Sequence, residues 1–204
     1  MSLDGLTRKG RATRERIVDA ASELVFLHGV SHTTMEDVRR AAGVSGSQLS
    51  HYFADKATLV RAIVAAQADA TVAQHQAPEL GELDSLDALE LWARLNIERQ
   101  RELNCVGGCR LGSLAGELLA ESDDEDTRTC LVDGFERWLS LFRHGLTLMR
   151  ERGELRADAD PEDLALTLIA CLQGGILLTQ TMRDTRPLEA SLLAALDKVR
   201  SYVA

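Results

Sequence analysis

Ser45, Ser47, Gln48, Ser50 and His51 crowd hydrogen-bonding side chains into a stretch of seven residues. Their chemistry is recognition rather than catalysis. A carboxamide such as Gln48 can pair bidentately with adenine, and Ser47 and Ser50 can reach other base edges. Thr34, Ser45, His51, Tyr52 and Lys56 nearby suit phosphate oxygens. Catalytic alternatives are thin. His28, His32 and His51 fall in this N-terminal part, His75 lies at a helix end, and His144 lies mid-helix without Ser, Cys or Asp at catalytic spacing. No Gly-rich phosphate loop or zinc motif occurs. Cys105 and Cys109 form a Cys-x3-Cys pair, but zinc needs four ligands and no second cysteine pair or His cluster accompanies it. A thiol switch would need an activated thiolate, with Arg110 as the nearby cation; small apolar packing is the plainer reading of both cysteines.

The polar stretch has to be held by helices. Thr33 or Thr34 can cap a first helix, with Glu36 or Asp37 three residues on to return the hydrogen bond. Val38, Ala41 and Ala42 give it a small apolar face, and Gly43 stops it. Ser45 caps a second helix with Gln48 at the capping-box position. Leu49 and Phe53, four apart, dock inward and leave Gly46, Ser47, Gln48, Ser50 and His51 outward. Two short helices joined by a tight turn, the second polar on its outer side, form a helix-turn-helix. An ordinary helical hairpin inside an all-α enzyme is the competing reading, and the agreement of caps, stop and outward polarity speaks against it.

The residues Thr33-Thr34, Ala41-Ala42-Gly43-Val44-Ser45, Leu49, His51-Tyr52-Phe53 and Lys56 resemble the N-terminal domain of TetR-family transcriptional regulators. The match covers roughly the first quarter of the chain. One position departs from the family: Ser50 stands where an aromatic, most often Tyr, usually follows the leucine, which bears on the usual base or phosphate contact there. The string Gly108-Cys109-Arg110-Leu111-Gly112-Ser113-Leu114-Ala115-Gly116-Glu117 is similar to a segment in one subgroup of these regulators, where it lies beside the effector cavity.

The chain has 204 residues, 45% hydrophobic but only 4% aromatic and with three prolines, which suits an all-α protein better than a β protein. Its net charge of −9 argues against nucleic acid if read globally. Residues 1–56 carry eight basic and seven acidic side chains, net +1, so the remainder carries −10. A near-neutral head on an acidic body is compatible with DNA bound at one end. Neither a signal peptide nor an apolar run approaching about 18 residues is visible, so the expected location is cytoplasmic with reduced cysteines and no membrane.

Residues 1–10 are expected to form a flexible arm, with Thr7, Arg8 and Lys9 free for phosphates. From Arg11 a helix carries Ile17, Ala21, Leu24 and His28 on one face, with Val18 and Val25 beside it, and ends at Gly29; Arg11 and Arg14 are further phosphate candidates. Asp55 caps a fourth helix that runs to about Gln76. Pro78 and Gly81 precede a helix from Asp84 or Ser85 to about Leu103, and the chain restarts near Leu111. Ser122 and Glu125 suggest a capping box for a long helix ending at Gly153. Asp160-Pro161 and Pro187 open the last two. About nine helices result, divided as a DNA-binding domain at 1–54 and an effector-binding and dimerisation domain at 55–204.

The last two helices have wide apolar faces and little chain left to cover them. A two-fold four-helix interface would bury Leu164, Leu168, Cys171, Gly175, Leu178, Leu188, Leu192, Leu196 and Val199; completion of a monomeric core is the alternative. The family resemblance implies dimerisation through the same two helices. It also implies a small effector between the body helices, and helix walls that are apolar with few charges make it a largely apolar one. Candidate lining residues are Trp92, Leu95, Cys109, Leu114, Trp138, Phe142, Gln173 and Leu177. The expected function is a ligand-responsive regulator, most commonly a repressor in this family, that binds a palindromic double-stranded operator as a homodimer, without cofactor and without enzymatic activity. A redox-sensing regulator using Cys105 and Cys109 is the alternative.

Overall fold

The computed structural model describes residues 7–121 and 124–204. Among them the chain forms nine α-helices: α1 Arg8–His28, α2 Met35–Ala42, α3 Gly46–Tyr52, α4 Lys56–His75, α5 Leu86–Glu102, α6 Arg110–Glu121, α7 Glu125–Glu151, α8 Pro161–Met182 and α9 Arg186–Arg200, with a short 3-10 turn at Pro78–Leu80. The all-α expectation holds. Most ends follow from their capping chemistry. Asp55 caps α4 through the Thr58 N–H at 2.7 Å, Ser85 caps α5, and Asp160 caps α8 ahead of Pro161.

Two ends differ from expectation. The helix expected from Arg11 begins at Arg8, because the Thr7 hydroxyl accepts the Gly10 N–H at 3.1 Å; the rest of the expected arm, residues 1–6, lies outside the described residues. At the start of α7 the cap is Asp124, which accepts the Thr127 N–H at 3.1 Å; Ser122, expected there, also lies outside the described residues.

Contacts divide the chain into two units that do not follow the expected cut after residue 54. One holds the chain up to Asp69 with Ser113–Gly134, the other Ala70–Gly112 with Phe135–Ala204. The first unit therefore takes most of α4 and α6 and the beginning of α7. The reason is visible in its polar contacts. Glu117 of α6 accepts the Val30 N–H at 2.5 Å, and Arg61 of α4 pairs with Asp124 at 3.5 Å. Its core comprises Ile17, Ala21 and Val25 of α1, Val38 and Ala42 of α2, Leu49 and Phe53 around α3, and Leu59, Ile63 and Val64 of α4, all buried.

The second unit is built on α5, α7, α8 and α9. α8 and α9 approach closely where α8 carries Gly175: a Cβ there would lie 3.0 Å from the Leu188 Cα and collide with the Ser191 hydroxyl. The buried Thr179 hydroxyl accepts the Leu188 N–H at 3.2 Å and ties the start of α9 to α8. α8 is long and apolar enough to cross a bilayer by length and composition alone, which corrects the expectation that no such run exists. Its inner side, including Leu164, Leu168 and Leu172, is buried within the protein.

Glycines in helices separate two situations with opposite signs. At Gly145 in α7 a Cβ would collide with the backbone carbonyls of Glu82 and Leu83, whereas at the exposed Gly116 in α6 nothing lies within 4 Å. Gly145→Ala is expected to lower unfolding free energy by about 1–3 kcal/mol despite the better helix propensity of alanine. Gly116→Ala should raise it by roughly 0.5–1 kcal/mol. Urea melts of the two variants check both signs.

Candidate DNA-reading helix and effector chamber

The recognition side chains are placed by two consecutive capping boxes. Thr34 caps α2: its hydroxyl accepts the Asp37 N–H at 3.2 Å, and the Asp37 carboxylate accepts the Thr34 N–H at 3.1 Å. These bonds to Thr34, followed by the Arg40 guanidinium, hold the Asp37 carboxyl below its ordinary range. Gly43 then takes the left-handed conformation at φ +62° and closes α2. Arg16 of α1 donates to the Ala42 carbonyl at 3.0 Å and satisfies that end.

The second box opens α3. The Ser45 hydroxyl accepts the Gln48 N–H at 3.1 Å, and the Gln48 Oε1 accepts the Ser45 N–H at 2.9 Å. Leu49 and Phe53 are buried, and the Arg14 guanidinium sits 5.2 Å from the Phe53 ring centroid. Arg14, a phosphate candidate from sequence, is thus engaged in bracing α3. Thr34, Ser45, Ser47, Gln48, Ser50 and His51 are exposed, while Tyr52 and Lys56 are half-buried. The Tyr52 and His51 rings meet edge to face at 5.1 Å, and the Ser47 hydroxyl lies 3.0 Å from that of Ser45. The Gln48 carbonyl oxygen is thus held in the cap, which competes with the base contact expected of it.

The loop between α1 and α2 is fixed by a feature the sequence reading missed. Gly29 has φ +83°, and the Glu117 carboxylate receives the N–H groups of Val30 at 2.5 Å and Ser31 at 3.4 Å. A Cβ on Gly29 would sit 2.8 Å from that carboxylate. The Gly-Cys-x-Leu-Gly-Ser-Leu-Ala-x-Glu string ends on this glutamate, the only signal that could have found it.

Of the eight expected effector residues, Trp92, Trp138 and Phe142 come together and are buried in the second unit. Trp92 and Phe142 rings meet edge to face at 4.9 Å. His75, which sequence reasoning left as a helix-end residue, completes the cluster at 5.0 Å from Trp138 and 5.7 Å from Phe142. Leu95, Cys109 and Gln173 are half-buried in the same unit. Gln173 packs over Gly112, and the Cys109 sulfur accepts the Gly112 N–H at 3.4 Å. Leu114 is buried but belongs to the first unit. Leu177 does not join the interior: it is 63% exposed on the outer side of α8.

The expected dimer residues also need correction. Leu164, Leu168, Gly175, Leu188, Leu192, Leu196 and Val199 are buried within the single chain, packed in the α8–α9 core, so they cannot present a free face. Cys171 is half-buried and Leu178 exposed. The exposed apolar side chains on these helices are Leu166, Leu177, Leu178 and Met182 of α8 and Leu193 of α9. Cys105 is buried with φ +56°, and its carbonyl accepts from Arg183 at 3.1 Å. Among the described residues no three His, Cys, Asp or Glu side chains gather into a group able to hold a metal.

Burial sets the protonation state of His75. Its Nδ1 lies 2.8 Å from the Thr71 carbonyl, an acceptor, so Nδ1 carries the proton and Nε2 is bare in the neutral ring. Desolvation pushes its pKa below the ordinary value of 6.5. The unfolded chain then binds the proton more readily, so stability is full above that value and falls as pH drops below it. Wild type should lose melting temperature between about pH 7.5 and 5.5 more steeply than His75→Phe. Melts of both proteins across that range check it.

Comparisons with known proteins agree with this geometry. Residues 17–63, from α1 into α4, match the model of bacterial regulatory proteins of the tetR family, and residues 85–195 match the tetracyclin repressor-like C-terminal domain. The chain is 30% identical to the transcriptional regulator AcuR of Cereibacter sphaeroides over 181 residues, covering 86% of this chain and 80% of the relative. It is 28% identical to the transcriptional repressor DhaR of Mycobacterium sp. strain GP1 over 194 residues, covering 88% of each. A crystal structure of the regulatory protein TetR from Rhodobacter sphaeroides superposes with a TM-score of 0.73 at 25% identity, covering 94% of this chain and 99% of that one. With both family models matched in chain order around a doubly capped helix-turn-helix, the chain belongs to the TetR family of DNA-binding transcriptional regulators.

Proposed function

We propose that this regulator is a homodimeric repressor, not an enzyme, that acts in the cytoplasm and leaves its palindromic operator when a small molecule enters the second unit. The observation that carries the reading is the exposed polar edge of α3, held by Ser45 and by the buried Leu49 and Phe53. Paired heads would read half-sites about 34–36 Å apart in successive major grooves. Ser47, Gln48 and Ser50 take base edges. Thr34, Ser45, His51, Tyr52 and Lys56 take phosphates and set register. One relative, DhaR, is itself a repressor. With Ser50 in place of an aromatic, more of the recognition falls on Ser47 and Gln48.

The dimer forms through the outer sides of α8 and α9, where Leu166, Leu177, Leu178, Met182 and Leu193 remain exposed in a single chain. Leu177 thereby moves from an effector role to the interface. Exposed apolar side chains of this kind are what an isologous contact buries. The effector enters among Trp92, Trp138 and Phe142, with Leu95, Cys109 and Gln173 as further wall; Leu114, in the first unit, leaves the set. Because α6 anchors the α1–α2 loop through Glu117, displacement of α6 would move the head off its half-site.

Selection of bound DNA from a random library tests the DNA reading; it should return a palindrome with half-site centres about one helical turn apart. Gln48 separates its two duties. Gln48→Glu keeps an acceptor at the capping position and should leave the melt within about 0.5 kcal/mol, yet weaken operator binding by about fivefold or more, roughly 1–3 kcal/mol. Operator affinity equal to wild type would remove Gln48 from the base-reading set. For the interface, Leu178→Asp should give a monomer in sedimentation at micromolar concentration with unchanged helicity, and lose high-affinity operator binding with the dimer.

A further inference from the structure

The aromatic cluster of the second unit contains three buried polar atoms without a hydrogen-bond partner: His75 Nε2, Trp92 Nε1 and Trp138 Nε1. Their residues are 5%, 1% and 1% exposed. They come from α4, α5 and α7, and the ring centroids of both tryptophans lie within 6.3 Å of that of His75. Unpaired buried polar atoms are costly, and native proteins rarely leave three together. The set is also chemically ordered. His75 Nδ1 is committed to the Thr71 carbonyl, so Nε2 is an acceptor, while each indole N–H is a donor only. Phe142 closes the cluster against His75 and Trp92. Burial disfavours the charged form of the imidazole.

From one bare acceptor and two unpartnered indole donors buried in the same aromatic cluster, we infer that the effector is a small neutral aromatic alcohol or phenol, recognised by His75, Trp92 and Trp138. Its hydroxyl donates to His75 Nε2 and accepts from an indole N–H, and its ring packs against the aromatic walls. This replaces a merely apolar effector by one with a required hydroxyl. A carboxylate or ammonium would give up its hydration among these rings and is disfavoured for that reason. The rings already touch one another, so entry separates a ring pair and shifts the helices that carry them. The inference rests on the reading that a small molecule controls this regulator.

The chain has two tryptophans, Trp92 and Trp138, so intrinsic fluorescence reports on the cluster directly. The full-length protein, without DNA, is titrated with benzyl alcohol, toluene, benzoate and benzylammonium, four probes of similar size. Benzyl alcohol should change the emission and bind at least about tenfold more tightly than toluene, equivalent to roughly 1.4 kcal/mol, with both ions weaker still. His75→Phe should bring benzyl alcohol down to the toluene level and leave toluene unchanged. Trp138→Phe, which keeps a ring and removes one N–H, should lower benzyl alcohol affinity several-fold and serves if His75→Phe does not fold. Equal binding of toluene and benzyl alcohol by wild type would overturn the inference, as would an unaltered preference in a folded His75→Phe. A silent emission with all four probes would also overturn it, since water alone then fills these valences. Operator selection without probe addresses the regulator reading separately, so the two failures are distinguishable.

Discussion

One carboxylate fixes how the DNA-reading head begins. Glu117 of α6 gathers the N–H groups of Val30 and Ser31, in a loop where Gly29 turns the chain with φ +83°. Backbone donors at a tight turn must find acceptors, and here the acceptor comes from a helix more than eighty residues away. The buried Thr33, whose hydroxyl donates to the Gly29 carbonyl at 2.8 Å, completes the turn. The angle between α1 and α2, and with it the presentation of α3, follows from this arrangement. It also explains why α6 from Ser113 onward groups with the head rather than with the helices that follow.

Within the head, stability and recognition draw on the same atoms. Thr34, Ser45 and Gln48, the proposed DNA contacts, are helix caps, so a short helix of seven residues is held in place without much burial of its own. The arginines are similarly engaged. Arg16 closes α2, Arg39 pairs with Glu36 at 2.6 Å, and Arg14 covers Phe53. These basic residues near α3 thus serve its posture.

The second unit depends on α8 being used on both sides. Its inner side packs on α9 at Gly175 and Thr179, and its outer side keeps Leu177, Leu178 and Met182 in the open. A helix apolar on more than one side has no single face to read, so spacing alone could not tell that Leu164, Leu168 and Gly175 lie in the core while Leu178 stays exposed. The aromatic cluster shows the complementary problem: Trp92, Trp138 and Phe142 repeat at helical spacing as any core would, and His75 joins them only because α4 ends against them.

The order of the helices and most of their ends, the helix-turn-helix with both capping boxes, and the family itself were legible in the linear chain. Caps, stops and short-period apolar patterns act between residues three or four apart, so their signal is local. Thr34 with Asp37, Ser45 with Gln48, and Gly43 could be read that way. Folding alone decided the rest: which side of α8 is core, that Glu117 reaches the α1–α2 loop, that His75 meets two indoles, and that part of α6 belongs with the head. Each of these depends on contacts between residues far apart in sequence, where no fixed spacing exists to be read, because side chains from separate helices meet only once the backbone has packed.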